Sequence, residues 1–185
     1  EIVPQNPDLL LQITIQGLVD EYLSLEQNYP WIIGFSGGKD STLVAHAVFE
    51  ALFEIPPSYR TRPVYFISND TLVESPLVVD HMKQVLAAIQ TAGDAFNLPI
   101  RWCTDRLKIQ PTSSFILDKV SECGHAIVVL GVRKSESNTR KASIDKYQNM
   151  AESNLTPHST LTGAFIYRPM VDLTTDDVWE SLASH

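Results

Sequence analysis

A glycine turn between an apolar run and a helical run is the feature that most constrains this chain. The apolar stretch Trp31–Phe35 is followed directly by Ser36-Gly37-Gly38-Lys39-Asp40-Ser41. Apolar residues then recur at helical spacing up to Phe53. This order predicts a strand, a tight turn and a helix. Because the first N–H groups of a helix lack intrahelical acceptors and its dipole is positive there, the turn is suited to bind phosphate or pyrophosphate.

The side chains of the turn support that prediction. Gly37 and Gly38 allow the backbone to approach an anion closely, Ser36 and Ser41 offer hydroxyl donors, and Lys39 supplies a positive charge. The spacing matches neither the common P-loop nor the dinucleotide fingerprint. We therefore assign the whole segment 36–41, including its aspartate, to nucleotide binding.

Length and composition indicate one α/β domain. The chain has 185 residues, of which 44% are hydrophobic, and a formal net charge of −8. No apolar run approaches the ~20 residues of a membrane span, and no leader is visible, so we expect a cytoplasmic protein without a membrane partner. The net negative charge argues against a protein whose whole surface is suited to bind nucleic acid. However, residues 101–146 hold nine Lys or Arg and five Asp or Glu. This local excess of positive charge fits either a solvent-exposed surface or a positively charged entrance to a site for phosphate-rich substrates.

Near-continuous apolar strands alternate with helices along the chain. This pattern predicts an α/β fold with a parallel twisted sheet and helices on both faces. The predicted strands are Trp31–Phe35, Pro63–Ser68, Leu98–Ile100 and Ala126–Leu130. The predicted helices are Pro7–Asn28, Ser41–Phe53, Ser75–Asn97, Thr112–Cys123 with Gly124 as C-cap, and a last helix capped by Thr174.

Ligands of such sheets bind beyond the carboxyl ends of the strands. Two further loops, 69–75 and 131–140, follow strands and should join the glycine turn there. Gly131 lets the strand end approach a nucleotide, while Arg133 and Arg140 can each donate two hydrogen bonds to phosphate or sulfate oxygens. Glu136 could orient one of these arginines. The alternative interpretation is a charged surface loop.

Cys103 lies among cations, with Arg106 and Lys108 close behind it in sequence. Neighbouring positive charges lower the pKa of a thiol and favour the thiolate. We therefore favour a functional role for Cys103, although a lone cysteine is more often part of a core. Cys123 ends an apolar helix, and we interpret it as structural.

Four segments in order resemble the superfamily of PP-loop ATP pyrophosphatases and adenylyl-sulfate or phosphoadenylyl-sulfate (PAPS) reductases. The glycine turn resembles its SGGxDS signature. Asp70-Thr71 resembles the loop that borders the nucleotide, and 131–140 resembles Gly-x-Arg-x-x-Glu-Ser-x-x-Arg. The segment 168–179 resembles the closing motif, which we assign to packing and helix capping. The resemblance implies an adenine nucleotide alpha hydrolase-like fold, with Asp70, Thr71, Gly131, Arg133 and Arg140 at the nucleotide.

Within that superfamily, residues 70–76 and 101–111 resemble the DndC proteins of bacterial DNA phosphorothioation. That resemblance implies an enzyme that splits ATP into AMP and pyrophosphate, adenylates the DNA backbone and allows sulfur to enter. Lys39, Asp40, Cys103 and Arg106 would be catalytic, and Asp40 would bind Mg²⁺. Cys103 would carry sulfur or ligate a [4Fe–4S] cluster. The implied partners are a cysteine desulfurase, other subunits of the phosphorothioation complex, and DNA.

Two departures from the DndC pattern stand out. DndC-like proteins have a longer connection before Arg101, so we expect a loop to be omitted between residues 100 and 101. They also carry further cysteines, because a four-iron cluster needs about four thiolates, and this chain has two cysteines. We therefore expect residues 1–185 to be one PP-loop domain of a longer protein.

Two other functions stay open at this point. A reductase of adenylyl sulfate or PAPS would bind an already activated nucleotide in the same place without splitting ATP. It requires a nucleophilic cysteine near the C-terminus, which this chain does not show. A nucleotide-binding assembly subunit would bind ATP with little turnover. A tRNA thiolation enzyme shares the turn but fits the other segments less well.

Overall fold

A computed structural model describes residues 7–24, 28–68, 76–102, 112–136, 142, 144 and 155–184. Its strands are β1 (Trp31–Gly34), β2 (Val64–Ile67), β3 (Ile100–Trp102), β4 (Ala126–Val129), β5 (Leu155–Pro157) and β6 (Ala164–Tyr167). Its helices are α1 (Pro7–Ser24), α2 (Lys39–Glu54), α3 (Pro76–Ala95), α4 (Thr112–Cys123) and α5 (Thr175–Ala183). Short 3₁₀ turns occupy Pro57–Tyr59 and Lys134–Glu136. Among the described helices, none has both the length and the apolar character needed to cross a bilayer.

The strands form one six-stranded sheet in the order β3-β2-β1-β4-β6-β5. All neighbours are parallel except β5 and β6. Trp31 of β1 pairs with Val64 on one side and with Ile127 on the other. The chain runs outward from β1 through β2 to β3 and then crosses back to β4. The order therefore reverses between β1 and β4, where an open α/β sheet typically forms a crevice.

Helices cover both faces of the sheet, as the sequence predicts. Side chains of α1, α2, α3 and α5 pack with Ile33 and Phe66 in the larger core. Side chains of α4 pack with Ile32 and Ile67 on the other face. Ile32 and Ile33 are both fully buried, on opposite faces, because successive residues of a strand alternate in direction. This double burial explains the near-continuous apolar strands.

Several element boundaries follow the sequence closely. Helix α4 has the predicted bounds, and Gly124 behind it adopts the left-handed φ of +84° that suits a helix C-terminus. Thr174 caps α5 through a capping box, in which the Asp177 N–H donates to its hydroxyl at 3.2 Å. Helix α2 begins at Lys39, two residues before the predicted start, so more of the glycine turn belongs to the helix.

The sequence interpretation missed the far edge of the sheet. Strand β5 has three residues, includes a proline and lacks an apolar run, whereas β6 has an apolar run of four residues like that of β2 and was overlooked; the two pair antiparallel. Strand β3 also begins later than predicted. It crosses the junction of residues 100 and 101, where a longer connection is expected, and pairs both residues with β2.

At the amino ends of the strands, α1 is fastened to the segment before β2. The Tyr22 hydroxyl accepts the backbone N–H of Arg62 at 2.9 Å and donates to its carbonyl oxygen at 2.7 Å. In return, Nη2 of Arg62 donates to the Tyr22 carbonyl at 3.0 Å. The guanidinium lies 5.2 Å from the Tyr22 ring centroid, and both residues are buried. One phenol thus satisfies two buried backbone groups.

We expect Tyr22→Phe to lower the free energy of unfolding by about 2 kcal/mol or more, because an unsatisfied buried polar group costs ~1–3 kcal/mol. Urea denaturation at neutral pH measures the change. Tyr59→Phe is the matched control, since Tyr59 is 63% exposed and its loss of a hydroxyl should change little. Equal effects of the two substitutions would contradict the assignment.

A pH dependence follows from the same hydroxyl. Burial raises the pKa of Tyr22 to about 12 from its ordinary value of 10.0. A raised pKa means that its stabilising contribution is complete below pH 10 and is lost as the pH rises towards 12, because over that interval the phenol ionises in the unfolded chain while it stays protonated in the folded one. We therefore expect the stability difference between wild type and Tyr22→Phe to narrow over that interval in urea titrations. A constant difference would argue against the burial of this phenol.

Candidate functional site

The reversal of strand order lies under a cavity of about 450 Å³. The residues that follow β1 and β4 meet there, beside the start of α2. A volume of this size lies within the range of small-molecule sites. Its lining residues are Gly34, Phe35, Ser36, Gly38, Asp40, Ser41, Ile67, Thr112, Val128, Leu130, Gly131, Val132 and Glu136.

The turn after β1 is held in shape by its own serines. The Ser41 hydroxyl accepts the Ser36 N–H at 3.2 Å and donates to the Gly38 carbonyl at 2.9 Å, and the two serine hydroxyl oxygens lie 3.1 Å apart. Gly37 adopts a φ of +75°, which favours glycine. The predicted donors to phosphate are therefore also the groups that shape the turn.

Helix α2 presents a bare N-terminus to the cavity. Its N-cap is Gly38, whose lack of a side chain leaves the first turn without a side-chain cap. The first N–H groups of any helix lack intrahelical acceptors, and the helix dipole adds positive potential. Gly38, Asp40 and Ser41 all line the cavity. Backbone N–H groups are thus the natural anion donors of this site.

Arg133 meets Asp40 across the crevice. Nε of Arg133 donates to Oδ1 of Asp40 at 2.8 Å, and Nη2 donates to Oδ2 at 3.4 Å. Arg133 is only 1% exposed. Two nitrogens of the guanidinium thus donate to a carboxylate 93 residues earlier in the chain, whereas the sequence predicted that they donate to phosphate oxygens.

The remaining nitrogen of Arg133 connects this pair to α5. Nη1 donates to the hydroxyl oxygens of Ser135 at 2.9 Å and Thr175 at 3.1 Å. The Ser135 hydroxyl donates in turn to the carbonyl of Leu173 at 3.0 Å. The segment before α5, which resembled a closing motif, therefore packs and caps as expected and also supports the site through Arg133.

Positive charge surrounds the Asp40 carboxylate. Besides Arg133, Nζ of Lys39 lies 3.3 Å from Oδ2. Within the described ranges, no group of three or more His, Cys, Asp or Glu side chains lies together in a way that could hold a metal ion. Asp40 thus faces two cationic side chains in this arrangement, and its role as a magnesium ligand stays a prediction.

Gly131 lines the cavity and also packs closely against the start of α2. A Cβ built on Gly131 would lie 2.9 Å from the carbonyl oxygen and 3.0 Å from the carbonyl carbon of Asp40. Backbone atoms cannot move aside as a flexible side chain can. Gly131 therefore allows the end of β4 to pack directly against the first turn of α2.

The structure brings together the sequence-predicted residues Ser36, Gly37, Gly38, Lys39, Asp40, Ser41, Gly131 and Arg133. Asp70, Thr71, Cys103, Arg106 and Arg140 lie outside the described residues. Sequence reasoning missed Ser135 and Thr175 as partners of Arg133. The only available signal was the capping sequence around Thr174, which located the start of α5 but not its proximity to β4.

Comparison of the sequence with protein-family models and with curated proteins finds no match. Solved structures do share the fold. FMN adenylyltransferase of Candida glabrata, in complex with FAD and inorganic pyrophosphate, matches with a TM-score of 0.57 and 12% identity, over 98% of this chain and 60% of that one. Its complex with ATP gives a TM-score of 0.54 at 12% identity, over 98% and 57%. The chain thus spans about 60% of that protein, and such a likeness shows the fold alone.

We expect Gly131→Ala to lower the free energy of unfolding by about 2 kcal/mol, because the added methyl group overlaps the Asp40 backbone. Thermal and urea denaturation measure the loss. Gly38→Ala is the control, since its Cβ would lie 3.5 Å from the Ser36 hydroxyl oxygen, an ordinary contact, and should cost less than about 1 kcal/mol. A Gly131→Ala protein as stable as wild type would show that β4 and α2 do not pack this closely.

Proposed function

We propose that this protein binds ATP in the cavity after β1 and catalyses adenylyl transfer with release of pyrophosphate. The observation that carries the proposal is the bare, glycine-shaped N-terminus of α2 at the point where the strand order reverses. Dipole, unpaired N–H groups and Lys39 all favour a polyanion there. The pyrophosphate part of ATP meets that requirement better than a single phosphate does.

The rest of the cavity suits a nucleoside. Its floor is formed by apolar or glycine residues at the carboxyl ends of the central strands, among them Gly34, Ile67, Val128 and Leu130. An aromatic base can lie on such a floor while its phosphates reach the α2 N-terminus. A site for free pyrophosphate alone would not need this apolar half.

The reaction requires charge stabilisation more than a dedicated base. An acceptor oxygen attacks the α-phosphorus, the bond from the α-phosphorus to the bridging oxygen breaks, and pyrophosphate leaves with that oxygen. The N–H groups of the α2 first turn and the Lys39 ammonium group stabilise the charge that develops on the leaving group. With water as acceptor, the products are AMP and pyrophosphate. Magnesium, when bound to ATP, would neutralise further phosphate charge, and we assign it no ligand among the described residues.

The structural neighbours support adenylyl transfer as the reaction class. Candida glabrata FMN adenylyltransferase shares this fold and has been solved with ATP, with FMN and the ATP analogue AMPCPP, and with FAD and inorganic pyrophosphate. In that protein the fold therefore accommodates an adenylyl donor, an acceptor and the pyrophosphate product. The same reaction class fits the cavity described above.

For the acceptor, we propose the DNA backbone in phosphorothioate modification. Support comes from the resemblance of residues 70–76 and 101–111 to DndC-like proteins, and from the excess of basic residues between 101 and 146. The outer sulfur of a persulfide on Cys103, loaded by a cysteine desulfurase, would then attack the adenylated phosphorus, and AMP would leave with the former backbone oxygen. An external thiol would reduce the remaining S–S bond and release the phosphorothioate. Alternatively, sulfide held at a [4Fe–4S] cluster of a longer protein would attack directly. Arg106 beside Cys103 would favour the thiolate, while Asp70, Thr71 and Arg140 would complete the nucleotide site.

Product analysis with α-labelled ATP tests the proposal. We expect wild-type protein with Mg²⁺ to form AMP and pyrophosphate, and Lys39→Ala to reduce the rate by about 100-fold or more, the typical effect of removing one group that stabilises transition-state charge. Lys83→Ala, which removes an exposed lysine on α3, should retain the wild-type rate. Addition of duplex DNA should give a DNA-linked adenylate if the proposed acceptor is right.

Other products would contradict the proposed reaction or favour one of the alternative functions. ADP and phosphate would contradict adenylyl transfer. Tight binding of adenylyl sulfate without ATP cleavage would favour the reductase, and tight ATP binding without any product would favour a nucleotide-binding assembly subunit. AMP formation that DNA neither accelerates nor captures would retain the reaction class and contradict the DNA acceptor.

A further inference from the structure

Asp40 occupies the wall of the cavity, but its carboxylate is already engaged. Oδ1 accepts from Arg133 at 2.8 Å, while Oδ2 faces Arg133 at 3.4 Å and Nζ of Lys39 at 3.3 Å. A divalent cation approaching these oxygens would meet two positive charges. Magnesium in a phosphate site is usually held by one or two carboxylates besides water and phosphate oxygens, and a carboxylate already paired with cations is a weaker ligand for it. The geometry therefore favours a role for Asp40 other than metal binding.

Arg133 is equally engaged. Its three nitrogens donate to Asp40, Ser135 and Thr175, and its side chain is 2% exposed. A guanidinium held by protein acceptors on two sides acts as a rigid connector, because its planar fork fixes the relative positions of its partners. Here it joins the first turn of α2 to the segment after β4 and to the start of α5.

We propose that Asp40 and Arg133 are positioning residues that set the α2 N-terminus for the pyrophosphate group, with Thr175 of α5 as their anchor. The proposal rests on the proposed function, since pyrophosphate is its ligand. Neither residue needs to touch the nucleotide. The pair holds the first turn of α2 against β4, where Gly131 leaves no space for a side chain, so that the N–H groups of residues 38–41 keep one arrangement.

ATP affinity measured with and without magnesium tests this proposal. We expect Asp40→Asn to weaken ATP binding by about 10- to 100-fold in calorimetry, the range expected for a lost charge-assisted hydrogen bond. The loss should be equal in excess Mg²⁺ and in EDTA. Asp176→Asn is the matched control, because Asp176 is also a first-turn carboxylate, in α5, and is exposed. It should bind ATP as wild type does.

Titrations of an Arg133 variant and of the double variant test whether Asp40 and Arg133 act together. Arg133→Lys keeps a charge but loses the fork, so we expect the same loss of affinity as in Asp40→Asn. The double variant should be no more than about 3-fold weaker than either single variant, since coupled residues are non-additive. Thr175→Val removes one acceptor at an exposed position and should give a smaller loss, also independent of magnesium, with the fold intact.

Three results would overturn the proposal. Loss of affinity in Mg²⁺ but not in EDTA would make Asp40 a metal ligand. Multiplying losses in the double variant would indicate that Arg133 contacts phosphate independently. Wild-type affinity in both single variants would show that the link does not position the ligand.

Failure of the proposed function is distinguishable from these outcomes. Inorganic pyrophosphate serves as a second probe in the same titrations. Wild-type protein that binds pyrophosphate but not ATP would overturn the nucleotide assignment, while the variants would still decide the positioning role. Wild-type protein that binds neither would overturn both.

Discussion

The ion pair between the buried Arg133 and the half-buried Asp40 is the interaction on which the arrangement of the crevice depends. Taking a guanidinium out of water is costly unless its hydrogen-bonding groups are satisfied, and here Asp40, Ser135 and Thr175 satisfy it. Removal of the Asp40 carboxylate would be destabilising, because the Arg133 charge would stay buried without its ionic partner. Three segments that are far apart in sequence are thereby held to one geometry at the carboxyl edge of the sheet.

Local signals in the sequence predicted much of the fold. The apolar run before the glycine turn predicted β1, helical spacing predicted α2 and α4, and the residues around Thr174 predicted the start of α5. Each of these signals depends on neighbours within about one or two turns of chain. Strand β5 was missed because it has three residues and contains Pro157, and β6 was missed although its apolar run is as long as that of β2. Strand β6 pairs with β4 and β5 pairs with β6, and no local pattern reveals that order.

The site was predictable in its residues but not in their partners. The turn 36–41, Gly131 and Arg133 could be selected because each follows a strand. Their contacts could not be, because Arg133 finds Asp40 at a separation of 93 residues. The interpretation of Arg133 as a phosphate fork considered only the chemistry of the side chain. In the fold the Arg133 guanidinium donates to a carboxylate, and Gly131 both lines the cavity and packs backbone against backbone.

The antiparallel strand β5 has a consequence for how the molecule behaves among its own copies. An exposed strand offers unpaired N–H and C=O groups to any other strand it meets, which invites edge-to-edge aggregation. Among the described strands, β3 and β5 form the two ends of the sheet, and each has only three residues. Proline at position 157 removes a backbone donor from β5. A sheet whose described end strands have three residues each, one of them with a proline, offers little template for addition of another chain.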